Sequence, residues 1–407
     1  MEKTGALQVS LIILLSITSL LLVSVFPHES LSAAVNGISI WWEVLFPALF
    51  PFFVISECLL GFGIVHFFGS VLDPMMRPVF KVPGVGGFVM AMGFASGYPV
   101  GARMTLQIWQ QGYLHKHEAE RLLAFTTTAD PIFLVGAVCV GFFKDTSLAL
   151  ILIVAHYLGA VIVGILMRYY RRSANSEVDS TSTTHSWWFR AFEAMHQARL
   201  RDGRPPGTII AQAIRHALQL IFIIGGLVVF FSVLLEVFST GKLLHGMDEL
   251  IGIVLTVVGI PPELSSAILH GLVEVTLGAQ TAAQQVGSIS LMSTTAVTAF
   301  IISWAGLSVH TQIMSMVSAM NISYVPFFVA RFTHGLISAL LVIVLWNPLQ
   351  PIRQTFVEFF PSFPHQTSML HFTAYTLPLQ LWIFIGCFII IFVLYSGHLL
   401  IKKCMNA

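Results

Sequence analysis

Residues 93–135 read GFASGYPVGARMTLQIWQQGYLHKHEAERLLAFTTTADPIFLV. A polar, glycine-rich break, Ser96 to Gly101, interrupts one apolar segment, and a second break, Thr126 to Pro131, interrupts the next. Lipid offers no hydrogen-bond partners, so non-helical backbone at membrane depth is tolerated only where protein or a water-filled cavity satisfies it. Secondary transporters bind their solutes between broken helices of this kind. The stretch therefore predicts a solute site formed by the ends of half-helices.

The composition indicates an integral membrane protein. Of the 407 residues 56% are hydrophobic and only 10% are charged, whereas soluble domains average about 25% charged residues. A net charge of +1 gives no argument for nucleic acid. The sequence has no Walker motif, no metal-ligand spacing and no hydrolase constellation, so we expect neither ATP-driven transport by this chain alone, nor a cofactor, a metal or an enzymatic activity.

Several apolar runs approach the ~20 residues that a membrane-spanning helix needs. They are Leu7–Phe26, Trp41–Gly61, Thr146–Met167, Ala217–Val237, Ile289–Val309, Ser323–Trp346 and Leu379–Ile401. We interpret Leu7–Phe26 as a retained helix rather than a signal peptide, because its basic region is only Lys3 and no clear cleavage site closes it. Pro83–Ala95 is too short to span alone and is typical of a half-helix.

The loop from Arg168 to Arg215 sets the orientation. It holds eight of the twenty Lys and Arg residues, so the positive-inside rule places it in the cytoplasm. Within it, Trp187–Arg201 is predicted to form an amphipathic surface helix. The same assignment places residues 347–377 outside and Lys402-Lys403 inside.

The chain also shows a weak internal repeat at an offset of about 175 to 177 residues. The matches are Pro99 to Ala102 with Thr276 to Ala279, Ala124-Phe125 with Ala299-Phe300, and the span from Trp41 with the span from His216. The predicted orientation makes the two copies inverted, as in many secondary transporters. The expected fold is an all-α integral membrane protein, a polytopic helical bundle with two inverted-topology repeats that contain broken helices.

We divide the chain into five parts. They are residues 1–40 (first transmembrane helix and external loop), 41–170 (first repeat), 171–210 (cytoplasmic basic loop), 211–346 (second, inverted repeat) and 347–407 (external amphipathic segment and last transmembrane helix).

Two arginines flank the polar segment between the breaks. The planar fork of Arg103 suits a carboxylate, and the alternative is an interfacial arginine that snorkels to lipid headgroups. If Arg103 binds the solute, Arg103→Ala is expected to abolish transport. Arg121 shares a helical segment with Glu118 and Glu120, so pairing within that helix is the favoured interpretation for it.

The breaks themselves supply the other candidate ligands. Ser96, Gly97, Tyr98 and Gly101 present amides and hydroxyls to an anion at a helix end, or they form a kink that lets helices pack closely. Thr126, Thr127 and Thr128 offer hydroxyls to the solute or bond back to their own helix.

Two carboxylates complete the predicted substrate site. Asp130 lies in an apolar run, where a charge marks a functional site by default, either as a proton or cation carrier or as a partner of Arg103; an N-cap before Pro131 is the alternative. Glu274 is its counterpart in the second half, with His270 four residues earlier. That pair either relays protons or only bonds internally.

Three blocks, GFASGYPVGA from Gly93, EAERLLAF from Glu118 and PIFLVGAV from Pro131, resemble the YlbJ (SpoVV) family of sporulation integral membrane proteins, which carry the nucleoside-recognition gate domain. The resemblance covers about Trp41 to Trp346. It implies a protein of the bacterial cell membrane, specifically the outer forespore membrane, that moves dipicolinic acid from the mother cell toward the forespore. Its loss is expected to yield spores defective in dipicolinate and cortex.

The implied partners are the lipid bilayer and dipicolinate, a small planar aromatic dicarboxylate, and the chain is compatible with a homo-oligomer. Tyr98, Trp109 or Trp304 offers a ring for stacking. Because an acid stands where a dianion would pass, a coupling or pairing role is favoured for Asp130. The alternatives are a carrier of nucleosides or other small solutes and a non-transporting scaffold for cortex assembly.

Overall fold

The computed structural model describes residues 2–171 and 187–352, and within these ranges the chain forms sixteen α-helices and no β-strand. The middle of the basic loop (residues 172–186), the last predicted span Leu379–Ile401 and nearly all of the segment 347–377 lie outside the described residues. The all-helical fold class is confirmed.

The chain begins with two helices that meet at a sharp bend. Helix α1 (Glu2–Val25) covers the first predicted span, and α2 (Pro27–Ser39) leaves it at an angle of 102°. Pro27 opens α2, where its missing N–H has no intrahelical partner to lose. A short π-helix, Ile40–Leu45, then leads into the first repeat.

The remaining helices follow one order twice. The first series is α3 (Phe46–Gly61), α4 (Ile64–Phe80), α5 (Val85–Ser96), α6 (Tyr98–Gln110), α7 (Lys116–Thr126), the π-helix Phe133–Phe142 and α8 (Leu148–Met167). After α9 (Trp187–Asp202), the second is α10 (Pro206–Thr240), α11 (His245–Val257), α12 (Ser265–Val273), α13 (Val275–Gln284), α14 (Leu291–Trp304), α15 (Gly306–Met316) and α16 (Tyr324–Leu345).

The contacts between the two series also correspond: each contact has a counterpart in which every element is replaced by its equivalent in the other series. Helix α6 packs against α15, and its counterpart α13 packs against the π-helix Phe133–Phe142. Likewise α7 packs against α16, and α14 packs against α8. Swapping the two series therefore maps one set of contacts onto the other, as a pseudo-twofold relationship between repeats requires.

Within the described residues, four helices are long and apolar enough to cross a membrane. The number of candidate spans rises to five if the bent pair at the N-terminus is counted as one span. The four helices are Leu148–Met167, Pro206–Thr240, Leu291–Met316 and Tyr324–Leu345. The predicted span Thr146–Met167 is confirmed as α8. The predicted apolar run Ile289–Val309 lies mostly within the span Leu291–Met316, which comprises α14 and α15 and is broken at Ala305. The run Leu264–Leu277 is likewise interrupted, at Glu274.

Helix α16 shows why this bundle suits a bilayer. Its exposed face is apolar and includes Val325, Val329 and Leu340. The face turned into the protein is the polar one, because Arg331 and His334 are buried there. Polar residues inside and apolar residues outside reverse the pattern of a soluble helix and match the placement of ionisable residues in membrane bundles.

Helix α9 confirms the predicted amphipathic helix over Trp187–Arg201 to within one residue. It packs against α4, and the rings of Phe67 and Phe192 lie 4.9 Å apart between centroids. Helix α9 thus lies against the first repeat, and the basic residues of its last turn, Arg199 and Arg201, lie at its C-terminal end.

Candidate functional site

The two breaks of the first repeat lie against each other. Helix α5 ends at Ser96, and Gly97 takes a positive φ of 88° before α6 begins at Tyr98. The second break begins where α7 ends, after Thr126. A methyl group added at Gly97 would lie 3.0 Å from Oδ2 of Asp130. Glycine is therefore required at the first break both for its backbone conformation and for the approach of the acid from the second.

The second repeat has the same two breaks, but the acid is at the first break and the glycine is at the second. Here the acid, Glu274, stands at the first break in an extended conformation between α12 and α13. The second break lies at Ala305, between α14 and α15, and both Ala305 and the first residue of α15, Gly306, have positive φ. A methyl group at Gly306 would lie 3.2 Å from the Cα atom of Glu274. Each repeat thus packs one acid against one glycine, in opposite order.

A cavity of about 60 Å³ lies where these breaks meet. Its volume holds a few water molecules, since one water needs roughly 10–15 Å³ by this measure. Five of the predicted site residues line it: Ser96, Gly97, Tyr98, Asp130 and Glu274. The other lining residues are Leu45, Leu49, Phe53, Pro99, Phe133, Ile224, Leu227, Val228, Val275, Thr276, Ser308, Val309 and Gln312.

Both acids cap a half-helix whose N-terminus faces this cavity. Asp130 Oδ1 accepts a hydrogen bond of 2.8 Å from the backbone N–H of Phe133, and Glu274 Oε2 accepts one of 2.8 Å from that of Leu277. Both carboxyl groups are buried. Capping and the helix dipole stabilise a negative charge at such positions, so the site places two carboxyl groups at helix N-termini beside one small and largely apolar cavity.

The carbonyl groups at the end of α14 are satisfied by side chains. The Tyr98 hydroxyl donates to the carbonyl of Ile302 at 2.6 Å, Arg331 Nη2 donates to that of Ser303, and His310 Nε2 donates to that of Trp304 at 2.9 Å. A broken helix at membrane depth needs such donors. The two repeats are thereby joined, because Tyr98 belongs to α6.

A second hydrogen-bonded network fixes the break of the first repeat. His156 Nε2 accepts the backbone N–H of Ala129 at 3.0 Å, so the ring proton lies on Nδ1, which donates to Ser303 Oγ at 2.8 Å. Ser303 in turn donates to Ser338 Oγ at 2.8 Å. The Tyr157 hydroxyl lies 2.9 Å from the Ala129 carbonyl. The same hydroxyl lies 2.9 Å from the Phe94 carbonyl, so it links the end of α5 to the second break.

Sequence reasoning missed Arg331 and His156, although each carries a detectable signal. Both are ionisable residues within a long apolar run, where a polar side chain is costly and marks a function or a structural network.

The remaining predicted residues bond or pack within the protein. The hydroxyls of Thr126 and Thr127 donate to the carbonyls four residues earlier at 2.8 and 2.9 Å, and that of Thr128 donates to Gly93 at 3.2 Å. Gly101 lies against the carbonyl oxygen of Thr126. These contacts hold α5, α6 and α7 together beneath the cavity.

Arg103 pairs with Glu57 rather than with Asp130. Its Nη1 lies 2.6 Å from Glu57 Oε1, and its Nη2 lies 2.9 Å from Nδ1 of His216. These three side chains come from α6, α3 and α10, and all three helices contribute cavity residues. Arg103 itself is not among the residues that line the cavity.

Two further sequence interpretations are decided by contacts. Arg121 Nε donates to the carbonyl of His117 at 3.3 Å, within its own helix. His270 bonds Thr281 at 3.0 Å rather than Glu274, because α12 ends at Val273 and Glu274 turns away to cap α13.

A charge exchange separates the two roles open to Arg103. We expect Arg103→Ala to destabilise the protein by about 1 kcal/mol, since the ion pair with Glu57 is partly exposed, and to reduce transport. The double variant Arg103→Glu/Glu57→Arg restores the pair in reverse. If Arg103 acts through Glu57, this variant recovers both thermal stability and uptake. Recovery of stability without uptake would instead place Arg103 in contact with the solute.

Comparison with known proteins adds three findings. Residues 42–161, which run from the start of the first series of helices into α8, match the family model Gate, described as nucleoside recognition. The sporulation integral membrane protein YlbJ of Bacillus subtilis (strain 168) is 41% identical over 324 residues, which are 79% of each chain. Two solved structures of CNTnw are also similar to this chain, at much lower sequence identity. A variant in an outward-facing state gives a TM-score of 0.42 at 14% identity, covering 83% of this chain and 86% of that one. An inward-facing substrate-bound state gives 0.41 at 12% identity, covering 87% of each.

Proposed function

The chain belongs to the YlbJ family of sporulation integral membrane proteins, and from this premise we propose that it is a secondary transporter of dipicolinic acid. In this proposal it resides in the outer forespore membrane and moves the acid from the mother cell toward the forespore, which supports cortex formation. The observation that carries the proposal is the cavity between the two breaks of each repeat, with the buried carboxyl groups of Asp130 and Glu274 at its wall.

The size of the cavity supports a transport cycle rather than a static binding pocket. About 60 Å³ admits a few waters but not a substituted pyridine ring. The solute enters when the two repeats move relative to each other, as alternating access requires. The breaks suit this motion, because side chains rather than continuous helix satisfy the carbonyls after Ile301.

The charges at the cavity favour a coupled mechanism. Dipicolinate is a dianion at neutral pH, and two carboxylates at the wall would repel it. A proton or metal cation at Asp130 and at Glu274 removes that repulsion. We therefore propose that the two acids carry the coupling cations, while Ser96, Gly97 and Tyr98 form the adjacent wall of the solute site.

A carrier of nucleosides or other small solutes is the second candidate, and the match of residues 42–161 to a nucleoside-recognition model favours it. A non-transporting scaffold for cortex assembly is the third.

Uptake into liposomes separates the candidates. We expect purified full-length protein to take up labelled dipicolinate saturably when a proton or sodium gradient is imposed, and excess unlabelled uridine or adenosine to leave that uptake unchanged. Inhibition by nucleosides would support the second candidate. Absence of uptake under gradients of either sign, with inserted protein, would contradict transport by this chain alone. Protein-free liposomes are the control for leakage.

A further inference from the structure

Arg331 is a buried cation whose hydrogen-bonding capacity is mostly unused. It lies in α16 with no exposed surface, and its Nη2 donates to the carbonyl of Ser303. Within the described residues, its Nε and Nη1 have no hydrogen-bond partner. These two atoms carry three N–H groups. An arginine at membrane depth is costly and is normally paired, so three unsatisfied N–H groups point to a ligand.

The position of Arg331 is fixed by its neighbours at the end of α14. Tyr98, Arg331 and His310 bond three consecutive carbonyls, those of Ile302, Ser303 and Trp304. Tyr98 lines the central cavity, and its ring centre lies 6.0 Å from the guanidinium carbon of Arg331. The guanidinium thus lies directly behind the cavity wall.

His310, on the other side of Arg331 in this row, lines a separate groove of about 730 Å³. The groove is formed by α15 and the following turn up to Tyr324, whose hydroxyl lies 2.9 Å from His310 Nδ1. Its volume exceeds that of the cavity more than tenfold and accommodates a small aromatic dicarboxylate. The three neighbouring side chains thus run from Tyr98 at the small cavity, through Arg331, to His310 at the groove, and Arg331 itself lines neither space.

We propose that Arg331 binds a carboxylate of the transported anion as the anion moves between the groove and the cavity. The inference rests on the proposed function, because it assigns a residue to recognition of an anionic solute. Tyr98 separates Arg331 from the cavity, so its displacement opens the path. Asp130 and Glu274 already cap their helices, and the guanidinium keeps its free N–H groups for a ligand.

A purely structural role explains less of the geometry. One donor satisfies the Ser303 carbonyl, and a neutral glutamine supplies it without a buried charge. The guanidinium brings three further N–H groups and a full positive charge into the same buried space. Guanidinium groups also bind carboxylates in a directional, bidentate manner that an ammonium does not reproduce.

The test measures ligand affinity in detergent-solubilised full-length protein by calorimetry. The ligands are dipicolinate, its monocarboxylate analogue picolinate, the neutral pyridine-2,6-dicarboxamide, and uridine. The variants are Arg331→Gln, which keeps a donor but removes the charge, and Arg331→Lys, which keeps the charge but loses the fork. Arg121→Gln is the matched control, because Arg121 is also buried and also donates to a backbone carbonyl.

We expect wild type and Arg121→Gln to bind dipicolinate and not the diamide, and Arg331→Gln to bind it about 10- to 100-fold more weakly, as for the loss of charged hydrogen bonds. Unchanged affinity of Arg331→Gln would overturn the inference and leave the proposed function intact. Binding of uridine but not dipicolinate by wild type would overturn the proposed function, and the inference with it.

The lysine variant decides the question if Arg331→Gln does not fold. We expect Arg331→Lys to lose several-fold in dipicolinate affinity and part of its preference for dipicolinate over picolinate. An affinity and a preference equal to those of wild type would show that the guanidinium does not recognise the anion.

Discussion

Asp130→Asn is expected to reduce dipicolinate uptake at least about tenfold while the protein still folds and inserts. Asparagine keeps a side-chain oxygen that accepts the N–H of Phe133, so the cap on the helical segment that begins at Pro131 is retained. What the variant loses is the ionisable group at the cavity wall. Charged hydrogen bonds contribute roughly 1.5–3 kcal/mol, which corresponds to about 10- to 150-fold in the affinity for a bound proton or cation.

The measurement is gradient-driven uptake into liposomes, compared with uptake by counterflow, which needs no gradient. Asp145→Asn is the matched control, because Asp145 also accepts a backbone N–H, that of Ser147 at 2.9 Å, but lies outside the cavity. We expect Asp145→Asn to transport as wild type does. Uptake by Asp130→Asn with unchanged rate and unchanged dependence on the gradient would contradict a coupling role for Asp130.

The proposed coupling mechanism predicts a similar effect for Glu274, the acid of the second repeat. Glu274 occupies the first break of its repeat and Asp130 the second, yet both cap half-helices at the same cavity. If each acid carries one coupling cation, Glu274→Gln lowers uptake to a similar extent as Asp130→Asn. Two cations would then balance the two charges of dipicolinate, so that the loaded cavity carries no additional negative charge.

The sequence predicted the breaks of the first repeat but not those of the second. The first pair carries glycine, proline and a run of hydroxyl residues, which are visible in any apolar chain. Val273-Glu274-Val275 carries no such signal, since the extended conformation there is imposed by packing against Gly306. The repeat itself contained the missing information, because the offset of 177 residues that relates Pro99 to Thr276 also relates Gly97 to Glu274.

The roles of charged residues were harder to predict, because they depend on which helices meet. Arg103 lies beside the first break in sequence, yet the fold brings Glu57 to it from α3. Arg331 is far from both breaks in sequence, yet α16 places it at the end of α14. Local pattern gives the position of a charge along a helix, but its partner is decided by long-range packing. Whether the predicted ligands bind solute, and where the five parts of the chain divide, stay predictions.

Gly93→Ala is expected to have the largest effect on stability in the first repeat. A methyl group at Gly93 would lie 2.2 Å from the carbonyl oxygen of Thr126, which is backbone and cannot rotate away. Gly101 approaches the same oxygen from α6, where a methyl group would lie 2.5 Å away. Overpacking usually costs about 1–3 kcal/mol and sometimes more, and a contact with fixed backbone belongs at the upper end. We therefore expect a loss of about 3 kcal/mol or complete failure to fold.

Heating of detergent-solubilised protein, followed by size-exclusion chromatography with tryptophan detection, measures this effect as the temperature at which half of the protein is lost. The entropy of unfolding is about 2.1 cal/mol/K per residue, so a loss of about 3 kcal/mol lowers the midpoint of a chain of 407 residues by only about 3–4 °C. We therefore expect a decrease of about that size or an absent folded peak. Gly226→Ala is the matched control, because nothing lies within 4 Å of a methyl group there and its helix, α10, gains stability from alanine. Equal midpoints for the two variants would mean that α5 and α7 separate readily at the second break, and that the contact between the breaks does not hold the cavity in shape.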